Sequence, residues 1–474
     1  MGDSPPPEGD AADAHKSTTT NPPHSNQVIN IDPEGDIVLD VVFETSIDTL
    51  RKSRKIALAA ARRAGSSALP LPELKTKVEA AYRVTLETLK RNSKYFTNLL
   101  YNPQFQEAKT IEYAHDALKA RGADPKKVDA VDLPWIKIAD DDEASKAAGR
   151  EHVFEDLLLM IHSKPIKTTK LTMPYVTTLA ITADRFDCTP TLSRALNGEY
   201  KFKWPLTAGK PMRDENGRAT EAEQLIRQKI LVAWLLGQPM RLHNATRELI
   251  MRGSSHWSAF HDEAVDSMAA WWTLPDGLEH ELQYRRECIL NTIASVQRHF
   301  LKLYSSKDRQ CKLGYDSSPA CDSFQLGQLL RFLVSKNLLS LVDFSPDSLD
   351  AVPDTSMADI DDLLATLRQF PAYQVDRHHV NCGPRIRAEP VFEYIRAMVG
   401  ASVVSIPFKE WRGRRSDVSW VVTQTAGEGE GESTFKFTRA LANDKRLRLE
   451  GAMFADKMAK KLFTSESWDW TPEL

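Results

Sequence analysis

The chain has 474 residues, and 62 Lys and Arg against 65 Asp and Glu give it a formal net charge of −3. That length predicts two or three folded units, and 42% hydrophobic with 27% charged residues is a globular composition. The longest aliphatic and aromatic run, Ile230 to Leu236, has seven residues. A bilayer span needs about 20, so a transmembrane helix is excluded. The near-neutral charge also argues against extensive coating of nucleic acid.

The first 27 residues contain no Val, Ile, Leu or Phe, so they lack the apolar region of a secretory signal peptide. Their Pro, Ser, Thr and Asp content predicts a disordered tail at 1–27, with order beginning near Val28. Five cysteines in a chain of this length are typical of a reducing compartment without a disulfide framework. We therefore expect a cytoplasmic or nuclear protein, or one present in both compartments, without membrane contact.

The first half of the chain shows the hydrophobic patterns of both strands and helices. Its predicted strands are rich in β-branched and aromatic residues and lie at 36–43, 82–85 and 135–138. Its predicted helices place apolar residues at three- and four-residue steps and lie at 86–100, 154–161 and 176–186. Two stretches of weaker pattern are predicted to be insertions, near 44–79 and near 109–131. Together these elements predict an α+β unit over 28–205.

The second half is predominantly helical in its pattern. A polar stretch with Pro and Gly at 206–218 predicts a linker. Beyond it, nearly every apolar residue recurs at helical spacing, so we expect an all-helical unit over 219–400. Its longest helix carries an apolar stripe from Leu282 to Leu303. Such a stripe faces either the core or a partner helix, and a core is the more frequent case.

The region 401–474 predicts a small appendage. Two short strands, Val418–Gln424 and Thr434–Phe437, flank an acidic, glycine-rich segment, which is the pattern of a β-hairpin with a long tip. A charged, helix-favouring segment follows over 439–463. We therefore expect a hairpin and a C-terminal helix attached to the helical unit.

Six segments of the first half follow one another in a characteristic order. They are GDIVLDVVF at 35–43, YRVTLETLKRNSKYFTNLL at 82–100, PQFQEA at 103–108, IKIADDDE at 136–143, VFEDLLLMIH at 153–162 and LTMPYVTTLAITADRFDC at 171–188. The ordered set resembles the BTB/POZ domain in the form common among fungal proteins. The region of roughly 285–400 is similar to a helical region that accompanies this domain in uncharacterised fungal proteins. The resemblance implies an α+β BTB/POZ-like domain followed by a mainly α-helical domain.

What the BTB/POZ resemblance implies is protein–protein interaction rather than catalysis. One role of that family is as a substrate adaptor on cullin-type ubiquitin ligases, and another is self-association. Adaptors of this kind carry an apolar-x-Glu motif after the Ser-x-Tyr-Phe helix, and Phe105 and Glu107 stand in that place here. An exposed aromatic can insert into a partner groove, and a neighbouring carboxylate can fix the register. Alternatively, Phe105 caps the domain's own core and Glu107 is simply solvated.

Three of the five cysteines and two histidines fall in two loop-like segments of the second half. Cys311 and Cys321 are separated by nine residues, and His379 precedes Cys382 with the spacing of a zinc knuckle. A Cys₃His set satisfies the tetrahedral preference of Zn²⁺, and we expect a structural site, since a catalytic site keeps one position open. The alternative is a group of separate buried cysteines plus a helix-terminal His pair, because no single sequence shows that the two segments meet.

The sequence shows no nucleophile elbow, no phosphate-binding loop and no dinucleotide-binding turn. We therefore expect a non-enzymatic protein, and a zinc-dependent enzyme ranks well below a scaffold. The less favoured alternative to a scaffold is a nuclear regulator that contacts nucleic acid through short basic patches at 51–63 or 411–415. Each patch is short, so a solvated surface is the first expectation there.

Overall fold

In a computed structural model, the residues described are 28–63, 75–215, 220–258, 269–314, 316–339, 354–421, 433–444 and 452–473. The prediction of a disordered tail at 1–27 falls outside these residues. The chain is a mixed α/β protein with one four-stranded sheet, one separate pair of strands and many helices among the described residues. None of the described helices is both long enough and apolar enough to cross a bilayer.

The four-stranded sheet lies at the start of the described chain. Its strands are β1 (Ile29–Asn30), β2 (Ile37–Glu44), β3 (Lys77–Val84) and β4 (Trp135–Asp141), in the spatial order β1-β3-β2-β4. The central strand β2 pairs antiparallel with β3 and parallel with β4. It is almost entirely buried, as its run of β-branched residues predicts.

Strand β3 begins earlier than the sequence pattern indicates. It runs from Lys77 rather than from Tyr82, because its first residues pair with the end of β2, where Lys77 lies opposite Glu44. Thr85, predicted as the last strand residue, is the N-cap of the next helix. The stretch treated as an insertion at 44–79 thus contains a helix, α1 (Ile47–Arg63), and part of a strand.

Helices cover the sheet and complete the first unit. They are α2 (Leu86–Asn92), α3 (Lys94–Tyr101), α4 (Gln106–Ala120), α5 (Arg150–Ile161), α6 (Met173–Arg185) and α7 (Thr189–Asn197). A group of rings fills the core between β2, β3 and these helices. The ring of Phe154 lies 5.8 Å from Phe43, 5.5 Å from Tyr82 and 5.1 Å from Phe186, centroid to centroid. These are edge-to-face or tilted contacts, which aromatic quadrupoles favour.

The second unit is helical. Its helices are α8 (Glu221–Leu235), α9 (Pro239–Arg252), α10 (Leu278–Ser305), α11 (Ser318–Ser335), α12 (Ile360–Leu367), α13 (Arg385–Val399), α14 (Phe408–Gly413) and α15 (Arg415–Val418). The apolar stripe predicted on α10 faces the core, where Ile289, Val296 and Phe300 are fully buried. Short 3₁₀ turns of this unit lie at Ser255–Trp257 and Ser402–Val404, and a third, Ala130–Asp132, precedes β4 in the first unit.

The two units are in contact. Helices α6 and α8 pack together, and Val232 and Leu236 belong to the core of the first unit. The described part of the connecting segment also packs on the second unit. The Thr207 hydroxyl donates to Glu248 at 2.7 Å, and Arg252 donates to the Thr207 carbonyl at 3.0 Å. The connection is therefore fixed at this point by hydrogen bonds.

The predicted strand Val418–Gln424 is not present in its described part, because Val418 ends the helix Arg415–Val418 and Trp420 and Val421 are also helical. Residues 422–424 lie outside the described residues. The predicted second strand is β5 (Thr434–Phe437), which pairs in parallel with β6 (Ser467–Trp470) near the end of the chain. Helices Arg439–Ala442 and Ala452–Phe463 lie between these strands, where one helix over 439–463 was expected. The pair forms because Phe435, Phe437 and Trp470 bury their rings together. The acidic tip predicted at 427–431 lies outside the described residues.

Candidate metal centre

The four residues predicted as zinc ligands come together from three segments of the helical unit. Cys311 lies in the loop after α10, and Cys321 lies in the first turns of α11. His379 and Cys382 lie in the loop that precedes α13. All four side chains are buried, and their ligand atoms lie within 4.8 Å of one another. The cluster therefore has the composition and compactness of a group that could hold a metal ion.

The distances in the cluster suit a tetrahedral ion. Cys311 Sγ lies 3.4 Å from His379 Nδ1 and 3.9 Å from Cys382 Sγ. Zn–S and Zn–N bonds of about 2.3 and 2.0 Å at tetrahedral angles separate their ligand atoms by roughly 3.5–3.8 Å. The ligand atoms are thus close to the spacing that one shared ion requires.

The ionisation of Cys311 and of Cys321 depends on the neighbouring thiols. Burial raises the pKa of Cys311, but hydrogen bonds from the Leu313 N–H and from neighbouring side chains outweigh it, and the pKa is about 7. Burial, together with negative charge on Cys311 and Cys382, raises the pKa of Cys321 to about 12. Thiolates this close repel each other in a buried site, and a bound dication removes that repulsion.

A carboxylate lies behind the imidazole of His379. Its Nδ1 faces Cys311, while its Nε2 lies 3.8 Å from an oxygen of Asp376. The other Asp376 oxygen accepts the backbone N–H groups of His378 at 2.7 Å and His379 at 3.1 Å, and these bonds lower the pKa of Asp376. A carboxylate behind a ligating histidine is a common second-layer arrangement that fixes the tautomer.

Further hydrogen bonds tie the three segments to each other. The Tyr304 hydroxyl, at the end of α10, donates to the Cys382 carbonyl at 2.7 Å. The backbone N–H of Gln310 donates to Asp322, the residue after Cys321, at 2.9 Å. Arg387, in the first turn of α13, donates to the Gln310 side chain at 2.7 Å. The ligands are therefore carried on a hydrogen-bonded frame.

Two backbone features let the second loop approach the cluster. Asn381 has a φ of +59°, a left-handed conformation that Asn tolerates better than most residues. At Gly383, a β-carbon would lie 2.5 Å from Gln325 Oε1, so a larger residue would require the Gln325 side chain to move.

The cysteines form a packing group of their own. Cys311, Cys321 and Cys382 make a small buried cluster, with Leu313 packed against it, separate from the large core of the helical unit. Apolar burial alone gives these loops little stabilisation, since three thiols and one leucine remove little surface from water. The arrangement is that of a group that could hold a metal ion.

The second histidine of the predicted pair does not join the cluster. His378 is exposed, and its Nε2 accepts a hydrogen bond from Arg377 at 3.0 Å. Sequence reasoning did not assign the framing residues Gln310, Asp322 and Arg387. The sequence does contain a signal for Asp376. It stands two residues before His378 and three before His379, where an Asp side chain can accept both backbone N–H groups in an Asx turn.

The predicted partner-binding residues lie at the start of α4, in the first unit. Phe105 is the N-cap residue of this helix, and its side chain is 41% exposed. Glu107 follows in the first turn and is half-buried. Phe105 does not cap the core of its own unit, so this aromatic is available at the surface.

The two basic patches differ in their surroundings. In the 411–415 patch, the Arg412 guanidinium stacks on Trp234 and Phe408, and Arg415 stacks on Trp411 and bonds to Asp276. Those arginines thus serve the protein's own packing. On α1, by contrast, the basic side chains are exposed: Arg51, Lys52, Arg54 and Lys55.

Comparisons with protein-family models, with curated proteins and with solved structures gave no match to this chain.

Proposed function

We propose that this chain is a non-enzymatic protein-interaction scaffold whose helical unit is held together by a structural Zn²⁺ ion. The observation that carries the proposal is the closed, buried set of Cys311, Cys321, His379 and Cys382. Three thiolates and one imidazole are the ligand types that select Zn²⁺ among the common divalent ions. Four protein ligands fill a tetrahedral ion, so no position remains for a substrate or an activated water.

The arrangement of the first unit supports a BTB/POZ-like fold as part of this proposal. Each sequence segment that carries the resemblance lies on the kind of element expected for it, from strand β2 through the helix pair α2–α3 to strand β4 and helices α5 and α6. A cytoplasmic or nuclear location belongs to the same proposal, since all five cysteines are buried thiols without disulfide bonds.

The proposed partner contact in this unit is formed by Phe105 and Glu107. An exposed aromatic ring at a helix N-terminus, with a carboxylate two residues further along, can insert into an apolar groove and pair with a cation beside it. The partner proposed for it is a cullin-type ligase scaffold, with self-association through the same unit as the other form of assembly.

The zinc proposal is tested by metal analysis of the purified full chain. We expect about one zinc per chain in the wild type and loss of zinc in Cys382→Ser. Cys288→Ser is the matched control, because Cys288 is a buried cysteine of the same unit that lies outside the cluster. Wild-type protein without zinc, in a preparation never exposed to chelator, contradicts the proposal.

The contact proposal is tested by affinity purification from a fungal lysate. We expect the wild type to recover a cullin-type scaffold and Phe105→Ala/Glu107→Ala to lose it. Tyr113→Ala is the control, since Tyr113 is an 80% exposed aromatic on the same helix. If neither wild type nor control recovers the scaffold, the adaptor role is contradicted and light scattering decides whether the unit self-associates.

The exposed basic side chains of α1 support a second candidate, contact with nucleic acid. A gel shift at low salt that weakens steeply with added salt and disappears in Arg54→Glu/Lys55→Glu would support this candidate. The absence of any shift at low salt would remove it.

A further inference from the structure

Exposed apolar side chains are concentrated around the loop that carries His379 and Cys382. Four of them lie within the fourteen residues 373–386. They are Tyr373 (62% exposed), Val375 (43%), Val380 (48%) and Ile386 (41%). Apolar side chains exposed in one region of a surface are typical of an interaction site.

Two adjoining cavities open beside this segment, and Tyr373 and Ile386 are among their lining residues. One, of about 570 Å³, lies between the second half of α11 and the 369–373 loop. The other, of about 240 Å³, lies between that loop and the start of α13, and it reaches Asn381 and Gly383 of the metal loop. Both cavities are lined by Ala372, Tyr373 and Arg385, so together they form one groove.

The groove has a mixed lining that includes two arginines. Its apolar part comes from Phe332 and Phe370, whose rings lie 5.5 Å apart, and from the exposed Tyr373 and Ile386. Polar side chains of Gln328, Ser335 and Gln369 line the rest. Arg331 and Arg385 line it with exposed guanidinium groups, neither of which has an ion pair or hydrogen bond within the part of the chain that the structure describes. Glu389, at the far end, is the carboxylate among the lining residues.

We propose that this groove binds an acidic peptide segment of a partner protein, with one apolar side chain in the cavity and carboxylates on the two arginines. A guanidinium binds a carboxylate through two parallel hydrogen bonds, which gives both energy and register. An aromatic or aliphatic side chain in a desolvated pocket supplies most of the affinity in such interfaces. This charge complementarity selects acidic over basic sequences.

The inference rests on the proposed function, because it names the client class of the zinc-held unit. The metal loop forms one end of the groove through Asn381 and Gly383, so peptide binding depends on the loop's conformation. Loss of zinc is therefore expected to weaken peptide binding, whereas loss of the two arginines leaves zinc in place. The two proposals can fail independently.

The test uses the full-length, zinc-loaded chain and an array of synthetic octapeptides. Each peptide has a central Phe or Leu flanked by Asp and Glu, and matched sets carry Lys flanks or a central Ala. We expect binding of the acidic, Phe- or Leu-centred set only, and at least a tenfold loss of affinity in Arg331→Glu/Arg385→Glu. Arg298→Glu/Lys302→Glu is the control, since it makes the same charge change at exposed residues of α10 outside the groove.

Zinc content is measured on every sample. Equal binding of acidic and basic sets, or unchanged binding by the Arg331/Arg385 variant, overturns the groove proposal even when zinc is present at full occupancy. Concentration-dependent dimers that vanish in that variant assign the groove to a second copy of the chain and also overturn it. Binding of a single-stranded oligonucleotide in preference to the acidic peptides also overturns the groove proposal.

Discussion

In the first unit the Phe154 ring contacts three other rings, whereas in the metal centre three cysteines pack against one leucine. Both sites are buried, but the physical reasons differ. The aromatic core removes large apolar surfaces from water, which stabilises it without any ligand. The cysteine cluster removes little apolar surface, so under the zinc proposal we expect its stability to depend on a bound ion.

Local measurements separate the two sites most clearly. Helices α6 and α8 pack together, so the two units share an interface and we expect them to unfold together. A change in the overall melting temperature therefore cannot be assigned to one unit. Hydrogen exchange and metal affinity report on each site separately.

Truncating the central ring of the first unit has the largest expected effect on folding stability. We expect Phe154→Ala to lower the free energy of unfolding by about 3–5 kcal/mol, since it leaves a cavity among Phe43, Tyr82 and Phe186. Denaturant unfolding measures this loss. The loss in free energy of unfolding should be the same with and without a zinc chelator. A loss that depends on the chelator would contradict the claim that the aromatic core and the cysteine cluster are stabilised independently.

Removing the carboxylate behind His379 has the next largest effect, on metal affinity. Asp376→Asn takes the negative charge away from the imidazole, and we expect zinc affinity to fall by about 10- to 100-fold. Competition with a chromophoric chelator measures the affinity. Asp362→Asn, an exposed acid on α12, is the control and should leave the affinity unchanged.

The sheet was predictable where local pattern and tertiary pairing agree. Strands β2 and β4 have β-branched or alternating residues, and their predicted positions agree with the structure. The first half of β3, Lys77–Ala81, has weak strand propensity and is fixed by its partner β2, which a local pattern does not show. The parallel pairing of β5 and β6 joins residues 33 apart in sequence, so a search for a local hairpin could not find it.

The metal centre was predictable in its residue types. Its geometry was not predictable, because Cys311 and His379 are 68 residues apart and meet only through the packing of α10, α11 and α13. The knuckle spacing of His379 and Cys382 carried the local signal. The frame around the ligands, such as the bond from Gln310 to Asp322, depends on tertiary placement and leaves no sequence pattern.

A smaller effect is expected at the break between α2 and α3. The Ser93 hydroxyl accepts the Phe96 N–H at 3.0 Å and donates to the Phe186 carbonyl at 2.6 Å, and the residue is buried. Ser93→Ala removes both bonds, and we expect a loss of about 1–2 kcal/mol in denaturant unfolding. The control is Ser335→Ala, at an exposed serine at the end of α11. An equal loss of stability in this control would contradict the role of Ser93 as the N-cap of α3.

The smallest expected effect is a pH dependence from His162. Burial lowers its pKa, and its Nε2 accepts the Thr85 N–H at 3.1 Å, which requires the neutral ring. Because the folded pKa lies below the unfolded value of about 6.5, this stabilisation is present above that pH. It is lost as pH falls through the folded pKa.

Unfolding of the wild type and of His162→Gln across pH 5–8 isolates this contribution. Burial also lowers the pKa of His243 and His299, so the difference between the two proteins is the informative quantity. We expect the stability of the wild type to fall more steeply below about pH 6.5. Parallel curves would contradict the assignment to His162.

Hydrogen exchange of the full chain, with zinc and after chelation, tests most directly the claim that an ion holds the loops of the helical unit. We expect chelation to increase exchange in the segments 306–314 and 376–384, which carry three of the four ligands, and to leave 135–161 in the first unit unchanged. The result that contradicts the account is equal protection of 306–314 and 376–384 in the two samples, because the loops would then hold their structure without a metal.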